Sequence, residues 1–312
     1  TGFIMIRKRL QNKIAESRFA FPVASLYAIA VWLVGGALTD GLYLQFAMFA
    51  VSVLMMVTLN NSNSLIRIYS RMVSCSFIVM TCASPFLFAS MDAAVVQFFF
   101  ILFYIALFRT YQDKKAPGLV FYSFACIGIA SMSFVQILYF VPFLWILMGN
   151  NMMAISHKMF WASVLGIIAP YWFASGYYAW QGRIDEFVDH FNGLTEFSPL
   201  WDYSMVNEHH IATLGIFAVL ALIGIVHYLR NSYLDKIRTR MIFELFITVD
   251  VLTVIFLVLQ PQHICCLLPI FVVNTSCLFA HFVALTKTRT TNIVFVVVCL
   301  MLVGLTAYNL LG

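Results

Sequence analysis

Apolar runs of roughly 18–22 residues recur from Phe19 almost to the C-terminus, and no other feature of this sequence limits its fold so strongly. A helix rises ~1.5 Å per residue, so a run of that length crosses a ~30 Å hydrocarbon core with its backbone N–H and C=O groups satisfied internally. The chain is 62% hydrophobic and only 10% charged, whereas a soluble domain averages about 25% charged residues. Eleven apolar segments are read: Phe19–Leu38, Leu42–Leu59, Met72–Ala89, Ala93–Phe108, Gly118–Ala130, Phe134–Met148, Phe160–Trp180, His210–Leu229, Met241–Leu259, Ile264–Ala284 and Ile293–Leu311. They lack the period-two alternation of barrel strands. The expected fold is an all-α membrane protein, a polytopic helical bundle of about 11 transmembrane segments.

Threading those segments back and forth puts seventeen of the eighteen Lys and Arg residues on one side, with Arg183 alone opposite. Eight of the thirteen acidic residues fall on the Arg183 side: Asp40, Asp92, Asp185, Glu186, Asp189, Glu196, Asp202 and Glu208. The positive-inside rule then predicts a cytoplasmic N-terminus and an outside C-terminus. One stretch reads two ways. Gly118–Met148 has a polar waist, Ser131-Met132-Ser133, and is either two short helices or a re-entrant hairpin.

Residues 1–18 read as a cytoplasmic amphipathic interfacial segment, with Ile4, Ile6, Leu10 and Ile14 set among Arg and Lys. Residues 19–312 read as a single transmembrane domain whose one sizeable exposed loop is 181–209. No cleavable signal peptide is evident, and the opening on Thr1 leaves a preceding segment open. The seven cysteines sit mostly inside apolar spans, as small reduced hydrophobes do. The net charge of +5 reflects cytoplasmic anchoring and argues against nucleic-acid binding. Walker, dinucleotide-binding, G-x-S-x-G and H-E-x-x-H motifs are all missing.

Four places hold residues able to do chemistry. Asp40, in the turn Thr39-Asp40-Gly41, reads either as a good turn residue or as a carboxylate at the outer boundary placed to bind a metal ion or to act as a base on a lipid-linked substrate. The 181–209 loop interleaves aromatic and acidic residues. It is either an interfacial belt or a lip over a groove, with Asp185, Glu186, Asp189, His190 and Trp201 as substrate-binding candidates. Asp185, Glu186 and Asp189 share a helical face beside His190, a set that could hold a divalent cation. Within the spans, Asp250 needs a partner, which depth matching assigns to Asn274; the same matching pairs Glu244 with His281. Such groups serve either as interhelical hydrogen bonds or as a proton relay. His263, after Gln260-Pro261-Gln262, reads as lining an outer vestibule. No second ligand pair at zinc spacing accompanies it, so no metal site is assigned there.

A family resemblance attaches to several of these runs. Asn61-Ser62-Asn63-Ser64-Leu65-Ile66-Arg67, with Arg71 and Ala83-Ser84-Pro85-Phe86-Leu87, resembles an uncharacterised family of Bacteroidota inner-membrane proteins. So do Gly128-Ile129-Ala130-Ser131, Tyr139-Phe140-Val141-Pro142-Phe143-Leu144-Trp145 and Gly166-Ile167-Ile168-Ala169-Pro170-Tyr171-Trp172. More distantly, the layout is similar to the GT-C glycosyltransferases, which carry an acidic catalytic residue in the first outer loop, where Asp40 stands. Here that loop is a three-residue turn.

The resemblance implies a multi-pass protein of the bacterial inner membrane acting in cell-envelope biogenesis. Its expected partners are the lipid bilayer, a polyprenyl-linked sugar and other envelope membrane proteins. If it is an enzyme, the resemblance makes it a polyprenyl-phosphate-sugar-dependent glycosyltransferase with Asp40 catalytic. A non-catalytic subunit of an envelope or secretion complex, and a proton-coupled transporter built on Asp250, are the alternative readings.

Overall fold

The computed structural model describes residues 9–195, 199, 203 and 206–311. Among them every regular element is helical: α1 (Leu10–Ala15), α2 (Ala20–Val34), α3 (Tyr43–Asn63), α4 (Met72–Cys82), α5 (Met91–Leu107), α6 (Pro117–Ser133), α7 (Val141–Asn150), α8 (His157–Trp180), α9 (Ile184–Asn192), α10 (Glu208–Asn231), α11 (Ile237–Leu259), α12 (Ile264–Leu285) and α13 (Arg289–Leu311), with short 3-10 turns between. Among the described residues seven helices are long and apolar enough to cross a membrane, and four apolar ones are shorter. The chain is a helical membrane protein. Its exposed apolar side chains, among them Leu26, Leu54, Trp172, Phe173, Leu222 and Leu300, suit a lipid solvent and would make a large adhesive surface in water.

Local chemistry sets the boundaries. The Ser90 side chain accepts from the Ala93 N–H and opens α5, Ser156 does the same for α8, and Pro117 occupies the first turn of α6, where its missing N–H costs nothing. Three segments are shorter as α-helix than their apolar runs, one of them Phe134–Met148, where α7 begins at Val141. Helix α2 stops at Gly35, before Gly36 at φ +92°, rather than continuing to Leu38. Helix α4 stops before Ser84-Pro85, because the residue preceding proline is pushed out of the α region, and a 3-10 turn over Pro85–Leu87 carries the chain on.

Helix α12 forms the centre. Nearly all of it is buried, and it packs against α4, α5, α10 and α11. Glycines let the tightest pairs close. A Cβ on Gly166 would lie 2.5 Å from the Phe121 carbonyl oxygen, and one on Gly128 would lie 2.7 Å from that of Ile167, so α6 and α8 meet backbone to backbone. Gly224 seats α10 on Leu278 of α12 in the same way. Small residues at such contacts are how membrane helices gain packing without a hydrophobic driving force between them.

Contacts gather the connections at two ends. At the basic end, Arg67 reaches the Leu234 carbonyl (3.1 Å), Arg238 bonds Asn63 and the Phe108 carbonyl, the Gln112 N–H donates to Met152, and Asn151 donates to Met241. Helix α1 joins this end through buried polar residues: Gln11 donates to the Val283 carbonyl (2.7 Å) and to Thr286, and Asn12 donates to the Thr286 carbonyl (2.8 Å), while Leu10 is exposed. At the other end, Asn309 donates to the Ala83 carbonyl and to Thr213, His209 stacks on Tyr308, and Phe86 packs on His210. This second end carries Asp40, Asp92, α9 and the turn between α11 and α12, and is called here the acidic end.

Candidate functional site

The polar waist is the point on which the acidic end converges. Helix α6 ends at Ser133, and Phe134 leads into a 3-10 turn over Val135–Phe140 that runs straight into α7. The Ser131 hydroxyl donates to the Gly128 carbonyl (2.8 Å) and accepts from the Tyr171 hydroxyl (2.7 Å), so the waist is tied to α8. Helix α9 lies over it. His190 Nε2 sits 3.0 Å from the Ser131 carbonyl, Gln136 donates to the Gly193 carbonyl (3.0 Å), and Tyr139 donates to the Leu194 carbonyl. Phe187 and Phe191 close the same face against Tyr171. From the opposite side His263 packs between Phe134 and Phe256, with centroids 5.3 and 5.9 Å apart, and its Nε2 lies 3.1 Å from Gln262 Nε2.

Below this roof runs an apolar groove of about 330 Å³ between the Val135–Asn150 segment and α11, lined by Tyr139, Phe140, Phe143, Leu252, Phe256 and Gln260 among others. Gln260 and Tyr139 stand at its acidic end, the Tyr139 hydroxyl bonded to the Leu194 carbonyl, and the surface facing the groove is almost wholly hydrocarbon. Tyr203 reaches the same rim by donating to the Val258 carbonyl (3.2 Å). A groove lined in this way fits a long apolar chain.

Of the residues singled out in the sequence, His190 and His263 are brought to one turn. Asp185, Glu186 and Asp189 point to solvent. Glu186 holds Arg183 in a bidentate pair, with Nε–Oε1 at 2.6 Å, a hydrogen bond that raises the affinity of the guanidinium for its proton. Asp189 accepts from Asn192 (3.1 Å). No group of three or more His, Cys, Asp or Glu side chains is poised for a metal among the described residues, so this acidic face does not form the cation site its spacing suggests. Trp201, with Glu196 and Asp202, lies outside the described residues.

Asp40 is exposed and keeps to its own turn. Its N–H donates to the Gly36 carbonyl (2.9 Å) and its Oδ2 fills the space over Gly36, 2.4 Å from where a Cβ would stand. That turn rests on Phe88, which stacks on Trp32 at 3.8 Å. Among the described residues no hydrogen bond or ion pair joins the Asp40 carboxylate to α9 or to His263.

The intramembrane polar groups separate into two clusters. Asp250 Oδ2 accepts from the Thr275 hydroxyl (3.0 Å), and Asn274 Oδ1 accepts from the Tyr104 hydroxyl (2.7 Å), all within the fully buried centre. Asn274 interacts with Asp250, as depth matching expects, and its neighbour Thr275 donates to the same carboxylate. Glu244 is not the partner of His281. It is exposed and accepts from Asn151 (3.2 Å), while His281 Nε2 sits 3.0 Å from Asp235 Oδ2 with Arg67 behind at 3.7 Å. Sequence reading missed Asp235; its one signal is being the lone acid between Arg230 and Arg240. Tyr139, Gln136 and Tyr171 were missed as well, although the polar waist next to them was visible.

No protein-family model, curated protein or solved structure matches this chain.

Proposed function

We propose that this protein handles a lipid-linked substrate at the outer face of a bacterial inner membrane, threading the bilayer eleven times from a cytoplasmic N-terminus to an outside C-terminus. The observation that carries the reading is the groove between the Val135–Asn150 segment and α11. It offers an apolar channel for a polyprenyl or acyl chain, with Tyr139 and Gln260 at its acidic end and His263 packed behind the lining residue Phe256. The aromatic rings of Phe187, Phe191 and Tyr171 supply faces on which a sugar head can stack. Handling of a lipid-linked sugar in envelope biogenesis is the function that suits this pairing of chain and head.

The separation of Asp40 from the groove favours a second form of the same reading, in which the chain binds the lipid as a non-catalytic subunit of an envelope assembly. A photoactivatable polyprenyl phosphate distinguishes these possibilities. The proposal expects labelling of Leu252 and Phe256, with labelling reduced about tenfold in Leu252→Trp, which fills the groove; tenfold corresponds to ~1.4 kcal/mol of binding. Labelling that is unchanged in Leu252→Trp, or that falls elsewhere on the surface, refutes it. Loss of an envelope phenotype in Asp40→Asn with labelling intact favours the enzyme over the subunit.

A further inference from the structure

A larger groove lies on another side of the bundle and belongs to no part of the reading above. It measures about 480 Å³ and is formed by the α1–α2 connection, α2, α4, α12 and α13. Its floor is hydrocarbon: Ile14, Val23, Val79, Val283, Phe295 and Leu302. It runs from Met72 to Met80 on α4, eight residues or about 12 Å along a helix. That is close to the ~15 Å of one leaflet of a ~30 Å core, so the groove spans a single leaflet.

Only one mouth of this groove is charged. It opens at the basic end, where Gln11 and Asn12 pin α1 to α12. Lys13 and Arg18, both exposed, flank the lining residues Ile14, Ser17 and Phe19. Arg71 caps α4 immediately before the lining residue Met72, and its charge reaches the thiol of Cys75 inside the groove. The Arg71 Nη1 is buried and has no hydrogen-bond partner. Glu16 is the one acidic residue in this stretch of α1 and its connection. Three cations, each next in sequence to a residue lining a leaflet-length apolar slot, form a charge pattern that a neutral lipid would leave uncompensated.

We infer that this groove is a binding site for an anionic phospholipid of the leaflet on the basic side, with one acyl chain in the slot and the headgroup phosphate met by Arg71, Arg18 and Lys13. Seated there, the phosphate would meet the accessible edge of the Arg71 guanidinium, which lies over the Tyr69 ring.

The test is native mass spectrometry of the whole chain released from nanodiscs holding phosphatidylglycerol and phosphatidylcholine in equal parts. Retained lipid should be enriched in phosphatidylglycerol. Arg71→Gln and Arg18→Gln should each lower that enrichment about fivefold, the factor corresponding to ~1 kcal/mol per basic residue at a membrane surface. Val79→Trp, which fills the slot, should lower total retained lipid. Arg109→Gln and Lys158→Gln, exposed at the same end but away from the groove, should change nothing. Equal retention of the two lipids, full retention in Val79→Trp, or equal losses in the Arg109 and Lys158 controls would each overturn the site. Arg18 is exposed, so its variant should stay folded and decide the question if Val79→Trp does not.

Discussion

His281 and Asp235 face each other at 3.0 Å between helix α12 and the connection from α10 to α11, with 0% and 2% of their side chains exposed. Arg67, from the connection between α3 and α4, approaches the same carboxylate from the solvent side. One buried acid thus joins three separate parts of the chain at the basic end.

Removing that acid should therefore cost more than removing an ordinary surface charge. Asp235→Ala is expected to destabilise the protein by about 2–3 kcal/mol, since it leaves the buried His281 imidazole without its partner and removes the charge that faces Arg67. Asp235→Asn should cost less. The measurement is denaturant unfolding in detergent, and the double variant with His281→Ala should lose less than the sum of the two single changes. Strict additivity would show that the pair is not coupled.

Close helix contacts give a steric prediction. Gly166→Val and Gly224→Val would force side-chain carbons into backbone atoms already within about 3 Å of the Cβ position. Each should sharply reduce the folded yield, at a cost of at least about 1–3 kcal/mol. Gly304→Ala, at a helix position open to space, should be neutral or slightly stabilising. Size-exclusion profiles of the three variants check the order.

The Asp250 cluster is expected to behave as an interhelical hydrogen bond. Asp250→Asn keeps the shape and the bond to Thr275, so stability should change by less than ~1 kcal/mol; Tyr104→Phe should lose the ~0.6–1.7 kcal/mol typical of one intramembrane bond. Thermal unfolding of both variants decides it. If activity assays show that Asp250→Asn abolishes function while the protein stays folded, the charge itself is needed and the transporter reading returns.

For Asp40 the structure separates the side chain from its turn. Asp40→Asn should leave stability within ~0.5 kcal/mol, because the carboxylate is exposed. Gly36→Ala should cost about 1–2 kcal/mol, because Gly36 sits at φ +92° and its missing Cβ makes room for Asp40. A stability loss in Asp40→Asn equal to that in Gly36→Ala would contradict this division.

Fold class was legible in the residues alone. Backbone groups in lipid must be bonded within their own segment, so run length and hydropathy dictate helices, and an apolar helix occupies each of the eleven segments even though α2 and α4 end early. The charge segregation was legible for the same reason, since it is a property of connections, and the structure gathers those basic and acidic connections at two ends. What hydropathy reports is depth along the membrane normal. It says nothing of rotation about a helix axis, and side-chain partners depend on that rotation.

Depth matching therefore set Glu244 opposite His281. The packing that seats Gly224 on Leu278 turns His281 toward Asp235 instead and leaves Glu244 exposed to meet Asn151. Rotation likewise turns His190 in to the Ser131 carbonyl while Asp185, Glu186 and Asp189 face solvent, and it buries Gln11 and Asn12 while Leu10 is exposed. Composition and spacing determined a charge-polarised bundle of membrane helices. Only the tertiary structure, by choosing which face of each helix meets its neighbour, decided which polar groups share a site.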